Sequence, residues 1–207
     1  MYKAFEKARG AGGVDGYAGP ELKHLPEPVK KRFYLVTKRW RMAREVPAVM
    51  RKIRQSAMLK PGKKPTVANL RPLSILSAFW RTYEASLTST PAYRSFKRMI
   101  HHAHIAFRES SEEIAAITMT IFAELRNLAA LDYTRAFDHM RPAISARLLT
   151  EAGIPDQIVE TLMQVWSNQI RYIQYDGHTN PVPLCTSDAH PQAVSYTHLR
   201  AHETRNN

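Results

Sequence analysis

Between Lys30 and Lys64 the chain carries thirteen Lys or Arg residues against a single acid, Glu45. This window restricts the fold more than any other feature. Like charges one helical turn apart repel, so these cations must face solvent, and an apolar stripe must anchor the segment between them. They are Lys30, Lys31, Arg32, Lys38, Arg39, Arg41, Arg44, Arg51, Lys52, Arg54, Lys60, Lys63 and Lys64. The whole chain has thirty Lys+Arg and eighteen Asp+Glu, a net charge of +12. Taking away thirteen and one leaves seventeen of each sign, so the window holds the entire imbalance. Such a patch fits a polyanion, nucleic acid first and an anionic membrane surface second. Phosphate contact of this kind is independent of base sequence and weakened by salt.

Val29, Phe33, Val36 and Trp40 recur at steps of four, three and four, which predicts a helix with one apolar face. Pro47 breaks it, and a second basic helix is expected over about 48–59. Lys60-Pro61-Gly62-Lys63-Lys64-Pro65 reads as a basic turn, and Pro72 holds Arg71 extended. The Gly-rich run from Gly10 to Gly16 reads as a flexible loop or turn; no Gly-Lys-Ser/Thr follows, so it is not a P-loop. Ser110-Ser111-Glu112-Glu113 fits a capping box opening a helix to Leu125, with Ile114, Ile117, Ile121 and Leu125 on its apolar face. Leu128 to Tyr133 reads as a short buried strand ending at Asp132. Further helices are expected from Ala143 to Ala152, stopped by Gly153 and Pro155, and from Asp156, as cap, to about Ile170. Arg171 to Tyr175 alternates before Asp176-Gly177, a two-residue hairpin turn. The order predicts an α+β fold.

At 44% hydrophobic and 23% charged residues the chain can build a core and is not disordered by composition. The single cysteine, Cys185, excludes an internal disulfide, fits a reducing compartment, and has no helix start or basic partner to activate it. An intracellular setting follows, nucleus or cytoplasm being open; Lys30-Lys31-Arg32 is compatible with nuclear import. No apolar run approaches the roughly 18–20 residues of a membrane span, and the first residues carry no signal-peptide core. His101, His102 and His104 lack cysteine partners and helical spacing, so they read as surface or core histidines. Trp40, Trp80 and Trp166 are expected in the core.

The stretch from Leu131 to Asp138 carries the most chemistry. Mg²⁺ takes one or two protein carboxylates plus water and substrate phosphates. A carboxylate at a strand end, such as Asp132, is either a turn former or a ligand for two-metal phosphoryl transfer. Asp138 reads as a local cap, and Phe137 reads equally as core or as a wall of a site.

At these residues the chain resembles the reverse transcriptase domain of non-LTR retrotransposons. Leu131-Asp132-Tyr133-Thr134-Arg135-Ala136-Phe137-Asp138-His139-Met140 resembles that family's palm motif A. Gly13-Val14-Asp15-Gly16 resembles its Gly-Pro-Asp-Gly element, with Val for Pro. Leu59-Lys60-Pro61-Gly62-Lys63 and Arg71-Pro72-Leu73-Ser74-Ile75-Leu76 resemble its fingers motifs, and Ala106-Phe107-Arg108 its Gly-Phe-Arg element, with Ala for Gly. The order matches from residue 10 to about 192. The resemblance implies a partial fingers and palm of a right-hand polymerase with an incomplete palm sheet. It divides the chain into fingers with a basic N-terminal region (1–128), partial palm (129–193) and tail (194–207). It implies an RNA template with a DNA primer or RNA–DNA hybrid, a dNTP and two Mg²⁺ ions as partners. Asp132 would hold the metal, with the Tyr133 backbone carbonyl as a further ligand. Phe137 would be the steric gate against a ribose 2′-OH. Lys60 and Arg71 would neutralise the triphosphate, and the basic window would grip template or hybrid.

Three departures shape that expectation. No Asp-Asp pair occurs in the sequence, so the Tyr/Phe-x-Asp-Asp motif and its second metal-binding carboxylate are missing. The preceding Gln-Gly-x-x-x-Ser-Pro motif is reduced to Pro191-Gln192, Gln192 being its remnant. The thumb and any endonuclease are also missing. Ser195-Tyr196-Thr197-His198-Leu199-Arg200-Ala201-His202-Glu203-Thr204 resembles a translated transposase-tagmentation sequencing adapter, so residues after about 193 are expected to be foreign to the domain. His198 and His202 are therefore not read as metal ligands. The expectation is a fragment without polymerase activity. The alternatives are a fragment of a group II intron-type maturase and a non-catalytic basic nucleic-acid-binding protein.

Overall fold

The computed structural model describes residues 2–99, 111–124 and 140–186. Two short helices, α1 (Tyr2–Glu6) and α2 (Gly19–Lys23), precede the long α3 (Glu27–Ala43). A 3₁₀ turn (Ala48–Arg51) leads into β1 (Lys52–Leu59), and a second (Val67–Asn69) into β2 (Leu70–Ile75). Helices α4 (Ala78–Leu87), α5 (Pro91–Met99), α6 (Ser111–Glu124), α7 (Pro142–Glu151) and α8 (Asp156–Trp166) follow. The described chain closes with β3 (Gln169–Tyr175), β4 (His178–Thr179) and β5 (Leu184–Thr186). This is an α+β fold, as the sequence order predicts.

The sheet is mixed. β1 lies between β2, to which it runs antiparallel, and β3, to which it runs parallel. β4 and β5 both pair antiparallel with β3. A parallel pair needs a crossover, and here it passes through the helices from α4 to α8. Among the described residues β2 pairs with β1 alone, which is where a strand can hold Pro72 without losing a ladder bond. The Asp176-Gly177 turn forms as expected, with φ of 47° and 77°, the left-handed conformation such a tight turn requires.

One core joins helices and sheet. Phe5, Phe33, Trp40, Trp80 and Tyr83 pack with Ile53 from β1, Leu76 just past β2, and Leu162 and Val165 from α8. The rings meet edge-on or tilted, as quadrupoles favour: Phe33 and Trp40 at 6.0 Å, Trp80 and Tyr83 at 5.1 Å. Trp40 and Trp80 are buried and Trp166 packs against the same cluster, as expected for all three.

Four expectations are corrected. The second basic helix over 48–59 does not form; a single 3₁₀ turn gives way to the central strand β1. Its residues are ladder-bonded on both sides, and non-local pairing outweighs a weak local propensity. On α3 the buried stripe is Phe33, Thr37 and Trp40, whereas Val29 and Val36 are about 40% exposed (40% and 43%). Thr37 can be buried because its hydroxyl donates to the Tyr34 carbonyl at 2.9 Å. On α6, Ile117 and Ile121 are exposed and take no part in the described core. Helix α8 stops at Trp166, so Ile170 lies in β3, and Pro155 rather than Asp156 is its N-cap. The helix at α7, stopped by Gly153, forms as expected. The Leu128–Tyr133 strand, the Ser110 cap position, and His101, His102 and His104 lie outside the described residues. No helix among the described residues is long and apolar enough to cross a membrane.

Candidate nucleic-acid interface

Period-two geometry decides which cations stand together. Along a strand, alternate side chains share a face. Ile53 points into the core, so Lys52, Arg54, Ser56 and Met58 stand on the opposite face. Register adds the neighbours. Arg54 lies beside Ile75 of β2 and Tyr172 of β3, and Met58 beside Arg71. The ladder runs on through Lys60, whose N–H donates to the Asn69 carbonyl at 2.9 Å. Lys60 therefore shares a face with Arg71 as its diagonal neighbour, a separation of roughly 7–8 Å. Lys63 and Lys64 sit exposed in the connecting turn, which is braced by Asn69: its amide donates to the Lys64 carbonyl and the Thr66 hydroxyl, each at 3.0 Å.

The face is graded. Leu73 and Ile75 are buried at its base, where Lys52 and Arg54 are half-buried. Arg71, Lys63 and Lys64 are exposed toward the tip. None of Lys52, Arg54, Lys63, Lys64 and Arg71 has a carboxylate within ion-pairing distance among the described residues. The Nε atoms of Arg51 and Arg54 are buried without an acceptor. Desolvated, unanswered donors are costly, and an anion at the guanidinium would relieve that cost. Tyr172 and Gln174 complete this face from β3. Sequence reading recognised their strand but not their place here, because the β1–β3 pairing spans more than one hundred residues and leaves no local pattern.

The helical cations behave differently. Lys30 donates to the Lys23 carbonyl at 3.0 Å. Arg41 is half-buried beside Tyr83, whose hydroxyl burial pushes up to about 12 against the pull of that charge. Arg44 caps α3 in the left-handed region at φ 54°. Its Nη1 donates to Glu160 Oε1 at 3.1 Å, and its Nε approaches Oε2 at 2.9 Å as an ion pair without hydrogen-bond alignment. Arg44 is thus engaged internally. Lys31, Arg32, Lys38 and Arg39 remain exposed on the outer side of α3.

The Gly-Val-Asp-Gly element forms a turn, one of the two expectations for the Gly-rich run, closed by the Gly16 N–H donating to the Gly13 carbonyl at 3.2 Å. Ser77 donates to Asp15 Oδ2 at 2.6 Å and caps α4 by accepting from the Trp80 N–H at 3.3 Å. Arg81 donates to the carbonyls of Arg9 at 3.1 Å and Ala11 at 2.6 Å.

Asp132, Tyr133, Phe137 and Gln192 lie outside the described residues. Among the described residues no three His, Cys, Asp or Glu side chains cluster as a metal site would require. No protein-family model matches the chain, and no curated protein matches it.

Proposed function

We propose that this chain is the fingers and part of the palm of an RNA-directed DNA polymerase of the non-LTR retrotransposon type. Its β1–β2 hairpin holds nucleic acid and the incoming dNTP by their phosphates. The observation that supports this reading is the meeting of Lys60 and Arg71. Two separate motifs supply them, and the register puts them on one face as diagonal neighbours, with Lys63 and Lys64 at the tip. Arg supplies a forked contact to phosphate oxygens and Lys a point charge. The exposed cations of α3 add sequence-independent attraction for the template or hybrid backbone. In the parent reaction a primer 3′-OH attacks the dNTP α-phosphate and pyrophosphate leaves; Asp132 and the Tyr133 carbonyl would hold Mg²⁺, which would supply charge stabilisation there. Phe137 would exclude a ribose 2′-OH. Lacking an Asp-Asp pair, the 207-residue chain is expected to perform no synthesis.

The test is binding. The chain should bind an RNA–DNA hybrid with an affinity that falls steeply with salt, and bind dNTP with Mg²⁺ present. Arg71→Ala should abolish dNTP binding and lower the log–log salt slope for the hybrid by about 1. Unchanged dNTP binding in Arg71→Ala would leave a plain basic nucleic-acid binder. Template-dependent primer extension by the chain would refute the expectation of inactivity.

A further inference from the structure

A cleft of about 420 Å³ opens between α1, α2 and α4. That volume lies within the usual range for small-molecule sites. Its walls are small: Ala4, Ala8, Ala78, Ala85 and Gly19. The shape is fixed by bonds already described, in which Arg81 ties the Arg9 and Ala11 carbonyls to α4, and by Gly19, whose N–H donates to the Gly10 carbonyl at 3.0 Å. A Cβ on Gly19 would collide with the Arg9 backbone, so the close approach that shapes this wall needs glycine. Lys7 and Arg9 are exposed where they line the cleft, and Glu84 is its only acid.

Glu84 is the unexplained group. The residue is half-buried where it lines the cleft, and no cation lies within ion-pairing distance among the described residues. Burial pushes this carboxyl up to about 7, opposed by the Trp80 and Trp166 indoles and by Arg81. The Trp80 contact falls short of full hydrogen-bond geometry. A half-buried carboxylate with spare acceptor capacity calls for N–H donors.

These features select one ligand chemistry. The lysine and arginines demand an anionic group and repel a cation. Alanine walls admit a flat ring. The carboxylate asks for two adjacent N–H donors. Adenine and cytosine place an acceptor beside their amino group, and uracil flanks its N–H with carbonyls. Guanine alone among the common bases offers adjacent N1–H and N2–H₂. We propose that this cleft binds a guanine nucleotide, with the base edge on Glu84 and the phosphate against Lys7 and Arg9. The same base edge is offered by a free mononucleotide and by an unstacked guanine in a single strand.

Tryptophan fluorescence reads the site directly, because Trp80 and Trp166 adjoin Glu84. At pH 8, GMP should quench saturably and bind about tenfold more tightly than AMP, the discrimination of one good bidentate pair. Inorganic phosphate alone should bind far more weakly. Ala85→Leu fills the cleft from an exposed position on α4, and it should abolish GMP binding while circular dichroism shows a folded chain. Glu84→Gln should remove the preference for GMP over AMP. Comparing thymine-only oligonucleotides with and without one guanine separates the two sources; quenching by the guanine oligonucleotide at concentrations where GMP is silent assigns the site to a strand, and the reverse assigns it to the free nucleotide. Equal binding of GMP and AMP, or GMP binding retained in Ala85→Leu, would overturn the proposal. So would GMP binding lost in Arg71→Ala, which would place the ligand on the hairpin; this variant separates the cleft from the polymerase reading.

Discussion

Seven cations from Lys30 to Arg44 wind around α3, and six from Arg51 to Lys64 follow a strand and its turn. The two stretches are alike in composition and unlike in what becomes of the charge. On the helix, Lys30, Arg41 and Arg44 are drawn toward a carbonyl, a buried phenol and a carboxylate, and the other four are exposed away from Phe33 and Trp40. On the strand, alternation lines up Lys52, Arg54 and Lys60 opposite Ile53, and register brings Arg71 beside them. Both elements direct apolar residues into one core, so their cations leave that core in different directions. A run of positive charge is therefore not one surface; the period of the backbone divides it.

Removing the apolar anchors tests that division most severely. Ile53→Ala should cost about 2–5 kcal/mol, because Ile53 is fully buried and sets the orientation of β1. Val36→Ala on α3 should change stability by less than about 0.5 kcal/mol, since Val36 is exposed. Urea midpoints of the two variants measure the difference. A large loss in Val36→Ala would restore the Val29–Val36 stripe as the buried face.

Proton linkage separates the regions next. The helical layer holds Glu84 on α4, whereas no Asp or Glu lies between Lys52 and Ile75 of the hairpin. Glu84 is raised in the fold from its ordinary 4.5 to about 7, so the folded state binds the extra proton between those values. Stability should therefore fall as pH rises from about 4.5 to 7 and then level off, by an amount on the order of 3 kcal/mol. Glu84→Gln should lose this contribution and gain relative to the parent chain at pH 8. Equal pH dependence of the two chains in urea unfolding would show that Glu84 carries no such penalty.

The smallest effect sharpens the comparison. Arg44→Ala should cost about 0.2–1 kcal/mol, as an exposed pair does. Arg71→Ala should leave the midpoint unchanged and act on binding alone, because Arg71 has no ion-pair partner among the described residues. Measuring midpoint and hybrid affinity on both variants would show the helical cation as structural and the strand cation as available.

Local rules made much of this legible. The apolar periodicity announced α3, Pro72 announced an extended Arg71, Gly153 ended α7, and Asp176-Gly177 made its turn. These signals live within a few residues, where φ/ψ preference and neighbour spacing decide. The strand nature of Lys52–Leu59 was not legible, since its helical and extended propensities are close and one of its two partners, β3, is more than one hundred residues away. Nor was the α3 face, because burying Thr37 depends on a hydroxyl bond that hydropathy does not count.

The sequence by itself determined that one thirty-five-residue window holds all the net charge, and that its cations must find solvent or an anion. It also determined an α+β order of elements, with Lys60 in a basic turn and Arg71 held extended by Pro72. Tertiary structure decided which cations share a face, which are absorbed, and that Glu84 ends beside a cleft. The physical reason is the range of the forces involved. Charge and turn preference act along the chain, whereas strand register and desolvation exist only after distant segments have met.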